Sequence, residues 1–413
     1  MTKSTKPSIF PLLWVMLFDH TSLNITFPIL TLLFFDAHSS FFAPSASAAQ
    51  RGLWYGACVA VPHIVNIIAT PILSMLSDGL GRKKVLLIAT FGAFLFAITA
   101  ALGILWGMLS LLFLGRVIQG LFSRTNPIAQ AVIGDISPKE KKVLHMGYLQ
   151  TAISIGAFAG PIIGGYFAHP NNFATLNFSL PYFIAAFFGA ISCAITYFVF
   201  QETLSEEPTH AARDAFKWQT IKRVFADRNV LHISLILLLT QLSWSMYYQF
   251  MPPILKTELH FSAHLLGIFV GVIALWLAIA TAFGIRFLEQ FFNPRQILTL
   301  SIYLVLAGLV MTILSCGLKQ PLLIWVSAIP VAFGDVIAFS CLIAMYSNVV
   351  EQQDQGKVMG VCFIVIAIIW ALTASLGGVL MGINMLVPLF VSPIGVLGAA
   401  ILIASDRLKV NNR

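Results

Sequence analysis

The sequence predicts an all-α membrane protein of twelve transmembrane helices. Three observations carry that prediction: the composition, the recurrence of long apolar runs, and the placement of basic residues. Of 413 residues, 58% are hydrophobic and only 10% are charged, whereas an ordinary soluble domain carries about a quarter charged residues. A spanning helix needs about 20 mostly apolar residues. Runs of that kind follow one another from residue 8 to residue 405, and no stretch between them is long enough to fold as a separate aqueous domain.

The spans are expected at 8–35, 52–76, 85–107, 109–134, 144–168, 181–201, 230–252, 263–285, 296–316, 320–346, 357–381 and 384–405. The first run is too long for a secretion signal, carries Asp19 and His20 in its middle, and lacks a small-x-small exit, so it reads as a retained helix. Short turns join the spans, with one exception. Residues 202–229 are polar and rich in charge, including Glu206, Arg213, Lys217 and Arg223. They read as a cytoplasmic linker between two six-helix halves, 1–201 and 230–413.

The basic residues set the orientation. With the N-terminus inside, 19 of the 24 Lys and Arg fall on cytoplasmic segments and 3 fall outside (Arg51, Lys256 and Lys319). Arg116 and Arg124 lie within the fourth helix. That bias places both termini in the cytoplasm. The net charge of +8 then faces anionic lipid headgroups, and no nucleic-acid partner is called for. The five cysteines sit in apolar runs, without the spacing of a metal site or a disulfide framework, so they read as small buried hydrophobes. No metal and no cofactor are expected.

Ionisable groups inside a bilayer cost a few kcal/mol each even on gentle scales, so each needs a reason. Asp19 in the first helix, Arg116 and Arg124 in the fourth and Asp335 in the tenth are two acids and two bases, a set suited to a water-filled cavity. On the fourth helix Arg116, Gln119, Ser123, Asn126 and Gln130 recur every three or four residues and form one polar stripe. The seventh helix carries Gln241, Trp244, Ser245, Tyr248 and Gln249 on one face; the second carries His63, Asn66 and Thr70. A lone membrane Ser, Thr or Asn is more often glue between helices than a ligand contact, and His63 reads somewhat more readily as a packing residue than as a proton site. Trp54 and Tyr55, near a helix end, read as interface anchors. Trp244 and Tyr248 lie deeper and read equally as anchors or as cavity residues.

Three segments carry a family resemblance. SMLSDGLGRKK, Ser74 to Lys84, is similar to the loop signature G-x-L-[AS]-D-R-x-G-R-[KR] of major facilitators, matching at Asp78, Gly81, Arg82 and Lys83 and departing at Ser74 and Gly79. GRVIQG, Gly115 to Gly120, resembles the R-x-x-Q-G of the fourth helix. GAFAGPIIGG matches the fifth-helix signature G-x-x-x-G-P-x-x-G-G at Gly156, Gly160, Pro161, Gly164 and Gly165; that motif resembles the one marking antiporters. Asp19 nine residues before Pro28, and Phe200 to Leu204 at the exit of helix six, resemble the tetracycline-exporter relatives in the drug:proton antiporter-1 family. The specific motifs lie in the first half of the chain.

The resemblance implies a major facilitator fold of two pseudo-symmetric six-helix halves around a central cavity, and a secondary transporter in the bacterial inner membrane. Export of a small organic molecule by proton antiport is the expected activity. Proton symport importing a nutrient or siderophore is the alternative, since two acids and two bases permit either. Asp19, Arg116 and Asp335 are the expected proton-coupling residues, with Arg116 as electrostatic partner of Asp19. Gln119, Arg124, Asn126, Gln130, His63, Asn66, Gln241, Trp244 and Tyr248 are expected to line the cavity, and Asp78, Gly81, Arg82 and Lys83 to form a cytoplasmic latch. The expected partners are the substrate, protons and the bilayer, around a monomer. The sequence holds no nucleophile motif and no phosphate loop, so no enzyme activity is expected.

Overall fold

The computed structural model describes residues 8–36, 39, 41–43, 45–122, 125–168, 176, 178–203, 228–349 and 355–405. Its elements are α1 (Phe10–Phe35), α2 (Ala48–Leu80), α3 (Arg82–Leu105), α4 (Leu109–Phe122), α5 (Thr125–Ile136), a short 3₁₀ turn (Lys139–Lys141), α6 (Lys142–Phe167) and α7 (Ser179–Phe198). They continue with α8 (Arg228–Glu258), α9 (Ala263–Ile279), a π turn (Ala280–Gly284), α10 (Ile285–Leu288), α11 (Pro294–Leu318), α12 (Pro321–Val349), α13 (Gln355–Met381) and α14 (Val387–Ala404). Ten of these helical stretches are long and apolar enough to cross a membrane. The fourth span is made of α4 and α5, and the eleventh is α13, whose apolar stretch Val365–Met381 is shorter. Twelve spans result, as the apolar runs predict.

Three boundaries differ from expectation, each for a local reason. The second helix continues past residue 76, so Ser74–Leu80 are helical and the turn shrinks to Gly81. Gly81 has φ 101°, a conformation that a side chain disfavours. The seventh span runs on to Glu258 through Pro252 and Pro253. A proline inside a helix strands the carbonyl four residues back, and the carbonyl of Gln249 accepts the Tyr55 hydroxyl instead, at 2.7 Å. The eighth span is interrupted by the π turn at Ala280–Gly284.

The chain forms two compact units. One comprises Met1–Pro44, Ile64–Arg213 and Ser262–Val272; the other comprises Ser45–His63, Asp214–Phe261 and Ile273–Arg413. In the first unit α1 packs along α6. A side-chain carbon on Gly156, Gly160 or Gly164 would collide with the α1 backbone between Leu17 and Ile25, so glycine is what permits this approach. Hydrogen bonds fasten α1 to α7: Ser22 donates to the Ala185 carbonyl at 2.7 Å and Ser192 to that of Val15 at 3.1 Å. Leu12, Val15, Val85, Leu86, Val132 and Ile133 form the centre of its apolar core.

The second unit is built around α8. Ser243 donates to the Ser392 carbonyl on α14 at 2.5 Å, and Tyr346 of α12 donates to Ser234 at 2.6 Å. Thr312 of α11 donates to Ser327 of α12 at 2.9 Å. Short polar contacts of this kind hold helices together where lipid removes the hydrophobic drive.

Candidate functional site

Asp19 lies on α1 in the first unit and is fully buried. Its Oδ2 accepts a hydrogen bond from the Thr125 hydroxyl at 2.6 Å. Its Oδ1 is buried without a hydrogen-bond partner among the described residues. A buried acceptor left unfilled is costly, so the carboxyl offers a place for an incoming donor. Thr125 opens α5, one position beyond Arg124, and so sits off the polar stripe read from the sequence.

The expected Asp19–Arg116 pair does not form. Arg116, 9% exposed, donates instead to Gln119 Oε1 at 2.5 Å, one turn along α4. Asn126 and Gln130 bond each other at 3.2 Å, with Gln130 exposed. Asn66 is buried on α2. Arg124 lies outside the described residues.

The second unit brings its candidates together around a residue the sequence reading passed over. Trp244 stacks on Tyr248 with ring centroids 5.2 Å apart; Trp370 of α13 stands 6.2 Å from Tyr248 and 5.4 Å from His63. The Trp370 indole N–H donates to Gln241 Oε1 at 3.2 Å. These spacings fall in the range where aromatic rings attract, about 4.5–7 Å, and together they make one aromatic wall with a polar edge. Behind it Gln249 donates to the Thr373 hydroxyl at 3.4 Å. Asp335 on α12, 8% exposed, has no hydrogen bond to this wall among the described residues. A tryptophan eleven positions from the end of α13 is misplaced for an interface anchor, and that criterion, applied to Trp244 from the sequence, would have found Trp370 too.

At the start of α3, the Glu202 carboxylate accepts from the backbone N–H groups of Arg82 at 2.8 Å and Lys83 at 3.1 Å. The Arg82 side chain pairs with Asp135 at 3.0 Å and donates to Ser77 at 2.9 Å. The acid at this helix N-terminus therefore comes from the end of the sixth span. The side chain of Asp78 lies outside the described residues. Among the described residues no group of three or more His, Cys, Asp or Glu is placed to hold a metal ion.

The Major Facilitator Superfamily profile matches residues 9–374. The class E tetracycline resistance protein of Escherichia coli is 24% identical over 357 residues, 84% of this chain and 81% of that protein. The staphyloferrin B transporter of Staphylococcus aureus is 33% identical over 147 residues, 35% of this chain and 34% of the transporter. Among solved structures, a bacterial homologue of the iron transporter ferroportin in its inward-facing state aligns with a TM-score of 0.73 at 14% identity, covering 96% of this chain and 98% of that one. A D-xylose–proton symporter aligns with a TM-score of 0.72 at 16% identity, over 95% and 96% of the two chains.

Proposed function

The chain belongs to the Major Facilitator Superfamily and is a multi-pass membrane transporter rather than an enzyme, and we propose that it exports a small organic molecule by proton antiport. The observation that carries this reading is Asp19: a carboxyl buried in a spanning helix, held by Thr125 through one oxygen and open at the other. Such a group is expensive in a membrane unless it has work to do. Taking up a proton there removes its charge, and releasing the proton restores it, so proton and substrate occupancy bias alternate access states. The direction draws on the complete fifth-helix signature and on the tetracycline resistance relatives. Arg116, hydrogen-bonded to Gln119, supplies a second charge, and Asp335 a second acid. Trp244, Tyr248, Trp370, His63 and Gln241 receive the substrate.

In this reading two six-helix halves, 1–201 and 230–413, work by alternating access in the bacterial inner membrane, as a monomer with both termini cytoplasmic. The basic residues of the loops support that orientation. A second reading, proton symport of a nutrient or siderophore, draws on the stretch shared with the staphyloferrin B transporter.

The test is flux in proteoliposomes holding a pH dye and an acidic lumen, challenged with cationic, neutral and anionic compounds. Antiport requires the lumen to lose protons as a compound enters. Protons moving with the compound would replace antiport by symport. Normal coupled flux by Asp19→Asn would remove Asp19 from the mechanism.

A further inference from the structure

A trough on the flank of the first unit, distinct from the candidate site, carries the inference. It has a volume of about 570 Å³ and runs between α3 and α7, lined among others by Leu87, Ile88 and Phe91 on one side and Ala190, Cys193 and Tyr197 on the other. Its shape follows from the side chains. Gly189 sits against the backbone of Phe94 and draws the two helices together, and the exposed Ala190 and Ala194, four residues apart on one face of α7, leave space where larger residues would fill it. Tyr197 and Phe198, 58% and 79% exposed, bound one end. The volume lies within the about 300–1,000 Å³ typical of small-molecule sites, so the trough can hold a chain rather than merely graze it.

Position decides what fills it. The α3 residues of the trough, 87–94, occupy positions six to thirteen of a 24-residue helix, and the α7 residues, 190–198, the last half of a 20-residue one. Both stretches belong to the end of the spans where Arg82, Lys83 and Lys84 stand. The trough therefore sits within one leaflet, and its 87–94 stretch covers about 10 Å of rise against a leaflet of about 15 Å of hydrocarbon. Lys84 is exposed and lies three and four residues before Leu87 and Ile88, on the same helix face. Arg82 is committed to Asp135, and Glu202 to two backbone N–H groups; Lys84 forms no ion pair among the described residues. A positive headgroup contact thus stands one helical turn from an apolar trough.

We propose that this trough binds an anionic phospholipid, with one acyl chain lying between α3 and α7 and the headgroup phosphate on Lys84. The test uses the full-length protein in mixed micelles with phosphatidylglycerol carrying a photoactivatable group on one acyl chain, and maps the cross-links by mass spectrometry. Cross-links are expected to concentrate on 87–94 and 190–198 and to be displaced by unlabelled phosphatidylglycerol but not by phosphatidylethanolamine. Lys84→Gln is expected to lower the yield several-fold, and Ala194→Trp, which fills the trough from an exposed position, to abolish it. Unchanged size-exclusion behaviour and helix content verify that both variants are folded. Cross-links spread evenly over lipid-facing helices, indifferent to both variants, would mean ordinary boundary lipid and overturn the site. Equal displacement by phosphatidylethanolamine, or no effect of Lys84→Gln, would overturn the anionic headgroup. Equal displacement by palmitate would assign the trough to a free fatty acid and overturn the phospholipid.

Discussion

The two units handle polarity in different ways. Among its candidate residues the first joins side chain to side chain by directed bonds: Thr125 to Asp19, Arg116 to Gln119, Gln130 to Asn126. In the second, the candidate residues are mostly aromatic: rings stand 5.2–6.2 Å apart, and the Trp370 indole N–H is bonded to Gln241. Directed bonds hold a charge at one atom, which proton transfer requires. Ring faces tolerate displacement and accept flat or cationic molecules of varied outline. The contrast suggests a division of labour, with coupling in one unit and recognition in the other.

The largest expected effect breaks the comparison at its charged end. Asp19→Asn keeps the volume and the partnership with Thr125 but carries no exchangeable charge. Proton-coupled flux is expected to disappear, while binding of a fluorescent substrate and the unfolding temperature stay close to those of the parent. Loss of binding along with flux would show that Asp19 also receives substrate, and the proposed division would fail.

Trp370→Ala strikes the other unit. It removes two ring contacts and the bond to Gln241, and aromatic and cation–π contacts are worth about 1–2 kcal/mol each when desolvated. Substrate affinity is expected to fall by roughly tenfold, measured as an increase in KM with proton-driven flux at saturation retained. An unchanged KM would mean the wall is packing alone.

A smaller effect sharpens the first unit internally. Thr125→Val preserves shape and deletes the one donor to Asp19; a hydrogen bond to a charged group contributes about 1.5–3 kcal/mol. Coupled flux is expected to fall by about tenfold, with Thr125→Ser restoring most of it. Failure of serine to restore it would assign Thr125 to packing.

The architecture was legible because a spanning helix is written in composition and length, which do not depend on neighbours. Asp19 and Arg116 were legible as candidates for the same reason: charge in an apolar run is expensive wherever the helix packs. Their partners were not, because whether Asp19 meets Thr125 or Arg116 depends on how α1 packs against its neighbours, which no periodicity in one helix encodes. Thr125 itself gave no signal, since a threonine in a membrane helix usually bonds its own backbone. Trp370 lies as deep in its span as Trp244 and was legible on the same criterion, whereas the role of Glu202 was hidden by distance: it lies 120 residues from the Arg82 N–H it caps.

Glu202 provides the smallest and most discriminating test, because it stands outside both polar arrangements. Its carboxylate accepts two N–H groups at the α3 N-terminus, where the helix dipole favours negative charge. Glu202→Gln keeps one acceptor and turns an amide toward the second N–H. The residue is exposed, so solvent screens the loss and an effect of about 0.5–1 kcal/mol is expected. In a chain of this length that amounts to about 2 °C or less in unfolding temperature. Substrate KM is expected to stay constant, since the aromatic wall belongs to the other unit. A rise in KM with an unchanged unfolding temperature would show that the α3 cap biases the binding wall, and recognition would then no longer be confined to the second unit.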